Sequence, residues 1–294
     1  MKENLIVSAI QQPCDQDKQS NLDYSISQIY AAAEAGAELV VLPELHLGAY
    51  FCQTEDFNQF NLAESIPGPT TAVLADLAKQ LSIVIVATIF EKRAPGLYHN
   101  TAVIFDQDGS IAGKYRKMHI PDDPGFYEKY YFTPGDLGFQ PINTSIGKLG
   151  VLICWDQWYP EAARLMALAG AEILIYPTAI GWDPEDTSAE QARQLDAWIT
   201  IQRAHAVANG IPVIACNRIG FEKAPDSDAG IDFWGNSFIA GPQGEILVQA
   251  NATETKLLCA TIDSHKNERV RQIWPFLRDR RIDAYGDLIK RFID

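Results

Sequence analysis

The chain has no apolar run of about 18 residues, the length a membrane-spanning helix needs, so no transmembrane segment is expected. Positive charge is scarce: Lys and Arg number 24 against 38 Asp and Glu, a net charge of −14. That balance argues against non-specific binding to nucleic acid or to anionic membrane. Cys14, Cys52, Cys154, Cys216 and Cys259 are odd in number, widely spread and without a C-x-x-C. A disulfide framework or a zinc ribbon is therefore not expected. The five histidines form no ligand pattern, so no metal and no cofactor is anticipated. G-x-G-x-x-G is missing, which counts against a Rossmann sheet, and so is G-x-S-x-G, which counts against a serine hydrolase. No low-complexity stretch, charge block or Ser/Gly linker interrupts residues 1–294, which read as one domain. The apolar run in "MKENLIVSAIQQP" is too short for a signal peptide and reads as a strand, pointing to the cytosol. The N-x-[ST] matches at Asn143 and Asn251 are then chance.

What is present is an internal echo. "GAELVVLPE" (36–44) resembles "GAEILIYPT" (170–178). Each follows an alanine-rich helical stretch ending at Gly, the usual residue past a helix end. Each helix follows a short apolar run, "LIVSAIQQ" (5–12) or "GVLICWD" (150–156). Continuous apolar strands joined by helices indicate βαβ units with buried, partly parallel strands. "IVIVATIFEK" (83–92) and "YHNTAVIFDQDGSIAGKYRK" (98–117) alternate instead and carry an Asp-Gly turn, so they predict antiparallel pairing. "GNSFIAGPQGEILVQA" (235–250) and "KLLCATID" (256–263) share that grammar, and 189–209 has helical periodicity ending at Gly210. The layering that accommodates these elements is α/β, a four-layer αββα sandwich of two mixed sheets flanked by helices. The tail beyond about Arg269 mixes aromatics with Arg and packs either on a neighbouring subunit or on its own domain.

The echo also locates chemistry. Glu44 ends the second strand of the first unit, and Cys154 ends the first strand of the second. Ligands of parallel α/β sheets bind beyond the carboxyl ends of strands. Glu44 follows "LVVLP", and a half-desolvated carboxylate is a better acid or base near neutrality. Taken alone it reads as a strand-end surface charge. Cys154 precedes a helix start marked by Pro160, and a helix N-terminus with a nearby cation lowers a thiol pKa. Taken alone it is an inert core thiol. "GKYRKMHIP" (113–121) carries Lys114, Arg116 and Lys117 ahead of the Pro/Gly-rich loop "IPDDPGFYEKYYFTPGD". A lysine placed there can stabilise a thiolate and then an oxyanion.

Together, Glu44 in "LVVLPE", Lys117 in "KYRKMHIP" and Cys154 in "VLICWDQWYPE" resemble the Glu–Lys–Cys triad of the nitrilase superfamily, the carbon–nitrogen hydrolases. The resemblance spans nearly the whole chain. It implies that Cys154 attacks a carbonyl carbon, that Glu44 is the general base, and that Lys117 and the Trp155 N–H hold the oxyanion. A second family glutamate maps to Glu128 in "FYEKYYF". His119 is expected to be structural. "HIPDDPGFYEKYYFTPGD", "ICWDQWYPEAAR", "YPTAIGW" and "FWGNSFIAGP" look most like the branch acting on N-carbamoylputrescine, a ureido compound with a distal amine. Such a substrate needs acids or an aromatic face in the pocket. Asp183, Glu185, Asp186 and Trp182 are expected to supply them, with Tyr50, Asp122 and Asp123 as further candidates. A carboxylate-bearing ureido acid or an ω-amide is the alternative, the former needing an arginine such as Arg193 or Arg218. A catalytically idle binding protein is the third reading. The resemblance also implies a homo-oligomer.

Overall fold

The computed structural model describes residues 1–225 and 227–294. Two six-stranded sheets form its centre. The first takes β1 (Asn4–Gln11), β2 (Leu39–Val41), β3 (Val84–Ala94), β4 (Leu97–Phe105) and β5 (Ile111–Arg116) in sequence order. The second takes β6 (Ile142–Thr144), β7 (Gly147–Val151), β8 (Ile173–Thr178), β10 (Val213–Asn217), β13 (Phe238–Ala240) and β14 (Ile246–Gln249). β15 (Lys256–Asp263) crosses back to pair antiparallel with β1. Each sheet has a parallel centre, β1–β2–β3 and β7–β8–β10, edged by antiparallel strands. β9 (Gly181–Trp182), β11 (Ile219–Lys223) and β12 (Gly230–Trp234) make a small third sheet that the sequence reading lacked. β9 is only two residues long and pairs across some fifty positions, so no local period announces it.

The continuous apolar runs divide by parity between two layers. Leu5, Val7, Ala9, Leu39, Val41, Val84 and Val86 face the second sheet and join one core. Ile10, Val40, Leu42, Ile83, Ile85 and Ala87 face the other way. There they pack on Ile29 and Ala32 of α1 (Lys18–Glu34) and on Leu74, Leu77 and Ala78 of α2 (Pro69–Leu81). A strand alternates its side chains between faces, so one covered on both sides is apolar throughout. On the outer face of the second sheet, α4 (Pro160–Leu168) and α5 (Ser188–Asn209) supply Ala163, Met166, Trp198 and Ala206. The result is the αββα sandwich. The one-turn α3 (Glu128–Tyr131) stands on the loop after β5, and α6 (Ser264–Ile273) follows β15.

The echo is a structural one. The Gly36 N–H bonds to the Ala33 carbonyl and the Ala37 N–H to Ala32. Gly170 and Ala171 repeat the arrangement on Ala167 and Met166. Both glycines have positive φ, +86° and +94°, which the helix-ending motif requires and which disfavours other residues. Beyond Ile273 the tail holds only two short 3-10 turns.

Candidate active site

Three strand ends converge. Glu44 lies three residues past β2, Lys117 one past β5 and Cys154 three past β7. The Glu44 N–H donates to the Thr178 carbonyl at 3.3 Å, joining the last residues of the two echoing segments. Leu45 then turns the chain through φ +48°, in the left-handed region, with its N–H on Thr88 Oγ1. Cys154 also has positive φ, +43°, at the start of a 3-10 turn. A non-glycine residue in that region carries strain that its surroundings must hold, and such residues gather at active sites.

Glu44, Lys117, Glu128 and Cys154 are all buried. Lys117 Nζ bridges Glu44 Oε1 at 2.8 Å and Glu128 Oε2 at 2.7 Å. Asn100 Nδ2 donates to the same Glu44 oxygen at 2.6 Å, and Tyr50 Oη donates to Glu128 Oε1 at 2.7 Å. Glu44 Oε2 is buried and has no partner among the described residues. The Cys154 thiol points to the Ala179 carbonyl, 3.8 Å away. Burial pushes the Lys117 pKa down, but Glu128 and Glu44 outweigh it and hold the ammonium well above its usual range. Burial raises the Glu128 pKa and Glu44 adds to the rise, with Lys117 only partly opposing them. For the thiol the sequence expectation is corrected. Burial and then Glu44 push the Cys154 pKa well up, and Lys117 offsets only part of this. The thiol lies buried at the floor of a cleft, so desolvation dominates.

Asp156 holds the cysteine turn. One carboxylate oxygen accepts the Ile153 N–H at 2.9 Å and Tyr115 Oη at 2.8 Å. The other accepts the His119 N–H at 3.0 Å and lies 2.7 Å from His119 Nδ1. His119 stacks on Tyr159 at 3.7 Å between centroids, a structural placement. Of the three cations in the run, Lys114 and Arg116 turn away to Glu91, and Lys117 alone enters the buried cluster.

Above Cys154 opens a cleft of about 530 Å³. Pro121, Phe126, Trp155, Trp158, Ile180 and Trp234 make apolar walls. Its charged lining residues are Asp123, Glu128, Asp183 and Asp186; among the described residues no cation lines it. Trp182 and Glu185 lie outside this lining: the Trp182 indole N–H is turned to the Gln191 carbonyl and Glu185 is exposed. Asp122 is exposed and outside it too. Tyr50 sits behind Glu128 instead of in the cleft. Arg218 is buried away from the cleft, and exposed Arg193 pairs with Glu190. A tighter cavity of about 150 Å³ lies along residues 45–53 and contains neither Cys154 nor Lys117. Asn100 and Asp156 were not anticipated in these positions. A polar Asn in the buried "NTAVIF" of β4 was the available signal for the first.

Comparison with known proteins agrees with this architecture. Residues 6–272 match the carbon-nitrogen hydrolase family. An N-carbamoylputrescine amidase of Solanum lycopersicum is 44% identical over 96% of this chain and 94% of its own length. A citrullinase of Francisella tularensis is 40% identical over 98% and 99%. The crystal structure of a carbon-nitrogen hydrolase from Helicobacter pylori superposes with a TM-score of 0.96 at 53% identity, covering 99% of this chain and 100% of that one. The protein is a hydrolase of amide C–N bonds in small molecules. It belongs to the carbon-nitrogen hydrolase family of the nitrilase superfamily.

Proposed function

We propose that this enzyme hydrolyses N-carbamoylputrescine to putrescine, CO2 and ammonia, a step of polyamine biosynthesis. The observation that carries the reading is the charge of the cleft: Asp123, Asp183 and Asp186 among apolar walls, with no lining cation among the described residues. A distal ammonium is favoured in such a cleft, and a distal carboxylate is not. The similarity to amidases of that name supports the same substrate.

The buried cluster supplies the chemistry. A raised thiol pKa means the proton leaves Cys154 as Sγ attacks, not beforehand. Glu44, whose Oε2 has no partner among the described residues, takes that proton. The new C–S bond leaves an oxyanion, which Lys117 Nζ and the Trp155 N–H stabilise. Glu44 returns the proton to the departing amide nitrogen, which leaves as ammonia, and the ureido carbon stays on sulfur as an S-carbamoyl group. Water then adds to that carbon, giving a proton to Glu44. The C–S bond breaks, the thiol regains its proton, and the N-carboxylated amine falls apart to amine and CO2. Glu128 holds Lys117 in place.

Ammonia release from N-carbamoylputrescine, β-ureidopropionate and citrulline at equal concentration, with Cys154→Ala as the blank, tests the reading. Strong preference for the first is expected. Preference for β-ureidopropionate overturns the assignment, and preference for citrulline moves the substrate to an amino acid bearing both charges.

The whole chain is read as one catalytic domain. Its exposed apolar tail, with Ile282, Leu288, Ile289, Phe292 and Ile293, packs in this reading on a second copy. A monomer in sedimentation would refute that. Five free cysteines accord with a cytoplasmic location.

A further inference from the structure

Arg218 stands between β10 and β11 with a fully buried side chain. Nη2 donates to the main-chain carbonyls of Glu44 and Leu45, each at 2.7 Å. Nη1 donates to the Gly48 carbonyl at 3.1 Å and to Glu222 Oε1 at 2.8 Å. Glu222 Oε2 accepts the Tyr50 N–H at 2.5 Å. One buried ion pair thus grips residues 44–50 at four points. That segment has neither helix nor strand to shape it and includes the left-handed Leu45. One end carries Glu44. The other carries Tyr50, whose hydroxyl reaches Glu128, and Lys117 closes the circuit between the two glutamates. Burying a guanidinium is costly unless its donors are engaged, and here the two terminal nitrogens serve three carbonyls and a carboxylate.

We propose that Arg218 and Glu222 are positioning residues that set the Glu44 carboxylate against the Cys154 thiol, and set Glu128 through Tyr50. The proposal rests on Glu44 as the base. Neither residue lines the cleft, so the effect belongs to the chemical step and not to binding. Lysine cannot replace the arginine, because a point ammonium does not span carbonyls arranged for a planar fork.

The test compares wild type, Arg218→Lys, Glu222→Gln, Glu44→Gln and the Glu44→Gln/Arg218→Lys double variant. It reads kcat and KM for ammonia release from N-carbamoylputrescine, and the rate at which iodoacetamide alkylates Cys154 at pH 7. Misplacing a reacting group by about 1 Å costs about 10²-fold, so Arg218→Lys should lower kcat by roughly 30- to 100-fold with KM within about 3-fold. Alkylation should slow about 10-fold in the wild-type background and less than about 2-fold in the Glu44→Gln background, because groups acting as a unit are not additive. Equal slowing in both backgrounds, or a change confined to KM, overturns the proposal. If Glu44→Gln alone leaves alkylation unchanged, the base reading fails and the proposal falls with it. Should Arg218→Lys fail to fold, Glu222→Gln carries the test. Its amide nitrogen cannot accept, so it loses either Arg218 or Tyr50, and kcat and alkylation should fall about 5- to 20-fold, within the loss that misplacement allows. Wild-type values in that variant overturn the proposal.

Discussion

Replacing Asp156 by Asn changes one atom and disturbs a turn that its carboxylate supports from both oxygens. In either orientation the new carboxamide nitrogen meets a backbone N–H, that of Ile153 or that of His119. Tyr115 can rotate its hydroxyl to accept, and His119 can change tautomer, but a backbone N–H has no such freedom. Leaving it buried and unsatisfied costs about 1–3 kcal/mol, and the charge-assisted character lost elsewhere adds to that, so about 2–4 kcal/mol is expected. For a chain of this size, with about 0.6 kcal/mol per °C, that lowers Tm by roughly 3–6 °C. Ile153 immediately precedes Cys154, whose φ of +43° depends on this turn, so kcat should fall as well, by about 10-fold or more. Calorimetry and ammonia release measure the two effects. Tyr115→Phe, which removes one donor to the same carboxylate and leaves both backbone N–H groups paired, is the control and should cost about 1.5–3 kcal/mol with kcat little changed. A Tm within 1 °C of wild type (about 0.6 kcal/mol on the same scale), with kcat unchanged, would refute the reasoning about Asp156.

Cys154→Ser should abolish turnover with the fold intact by circular dichroism; near-normal ammonia release would remove the cysteine from the mechanism. Lys117→Ala should lose at least ~10²-fold in kcat, as loss of an oxyanion donor does, and a loss under about 3-fold would take the lysine out of that role. Glu44→Gln removes one cause of the raised Cys154 pKa and leaves burial, the larger one, so alkylation of Cys154 in that variant should still climb from pH 7 to 9; a plateau already below pH 8 would show that burial is not the dominant cause. Burial raises the Glu91 pKa, but Arg116, Thr101 and Lys114 outweigh it and hold the carboxyl at about 2, below its ordinary 4.5. Its contribution is complete above the unfolded value and is lost as pH falls towards 2, so the Tm deficit of Glu91→Gln should shrink over that window. A deficit that does not depend on pH would show that packing, not charge, is what Glu91 supplies.

Much of this molecule was legible locally. The apolar runs, the glycines past two helix ends and the Asp-Gly turn are short-range signals, and each fixes an element without help from the rest. The echo of 36–44 and 170–178 went further, since strand ends of repeated βαβ units are brought to one edge. Glu44, Lys117, Glu128 and Cys154 were all named from the residues or from the family resemblance, and the structure gathers them into one buried cluster. Which acids reach the cleft was not legible. Asp183 and Glu185 stand two apart in one loop, yet only the first lines it, because the loop turns on its own Asp183 carboxylate. The direction of the Cys154 shift was not legible either, since it depends on how completely distant segments exclude water. Arg218 shows the division most clearly. Its type and place in the chain allowed a substrate carboxylate as its partner. Its true partners are carbonyls some 170 residues earlier, which only the packing of one sheet against the other brings within reach. Sequence determined the elements and the chemical types at their ends, because those follow from short-range sterics and periodicity. Tertiary structure decided burial, protonation and partnership, because each depends on residues far apart along the chain.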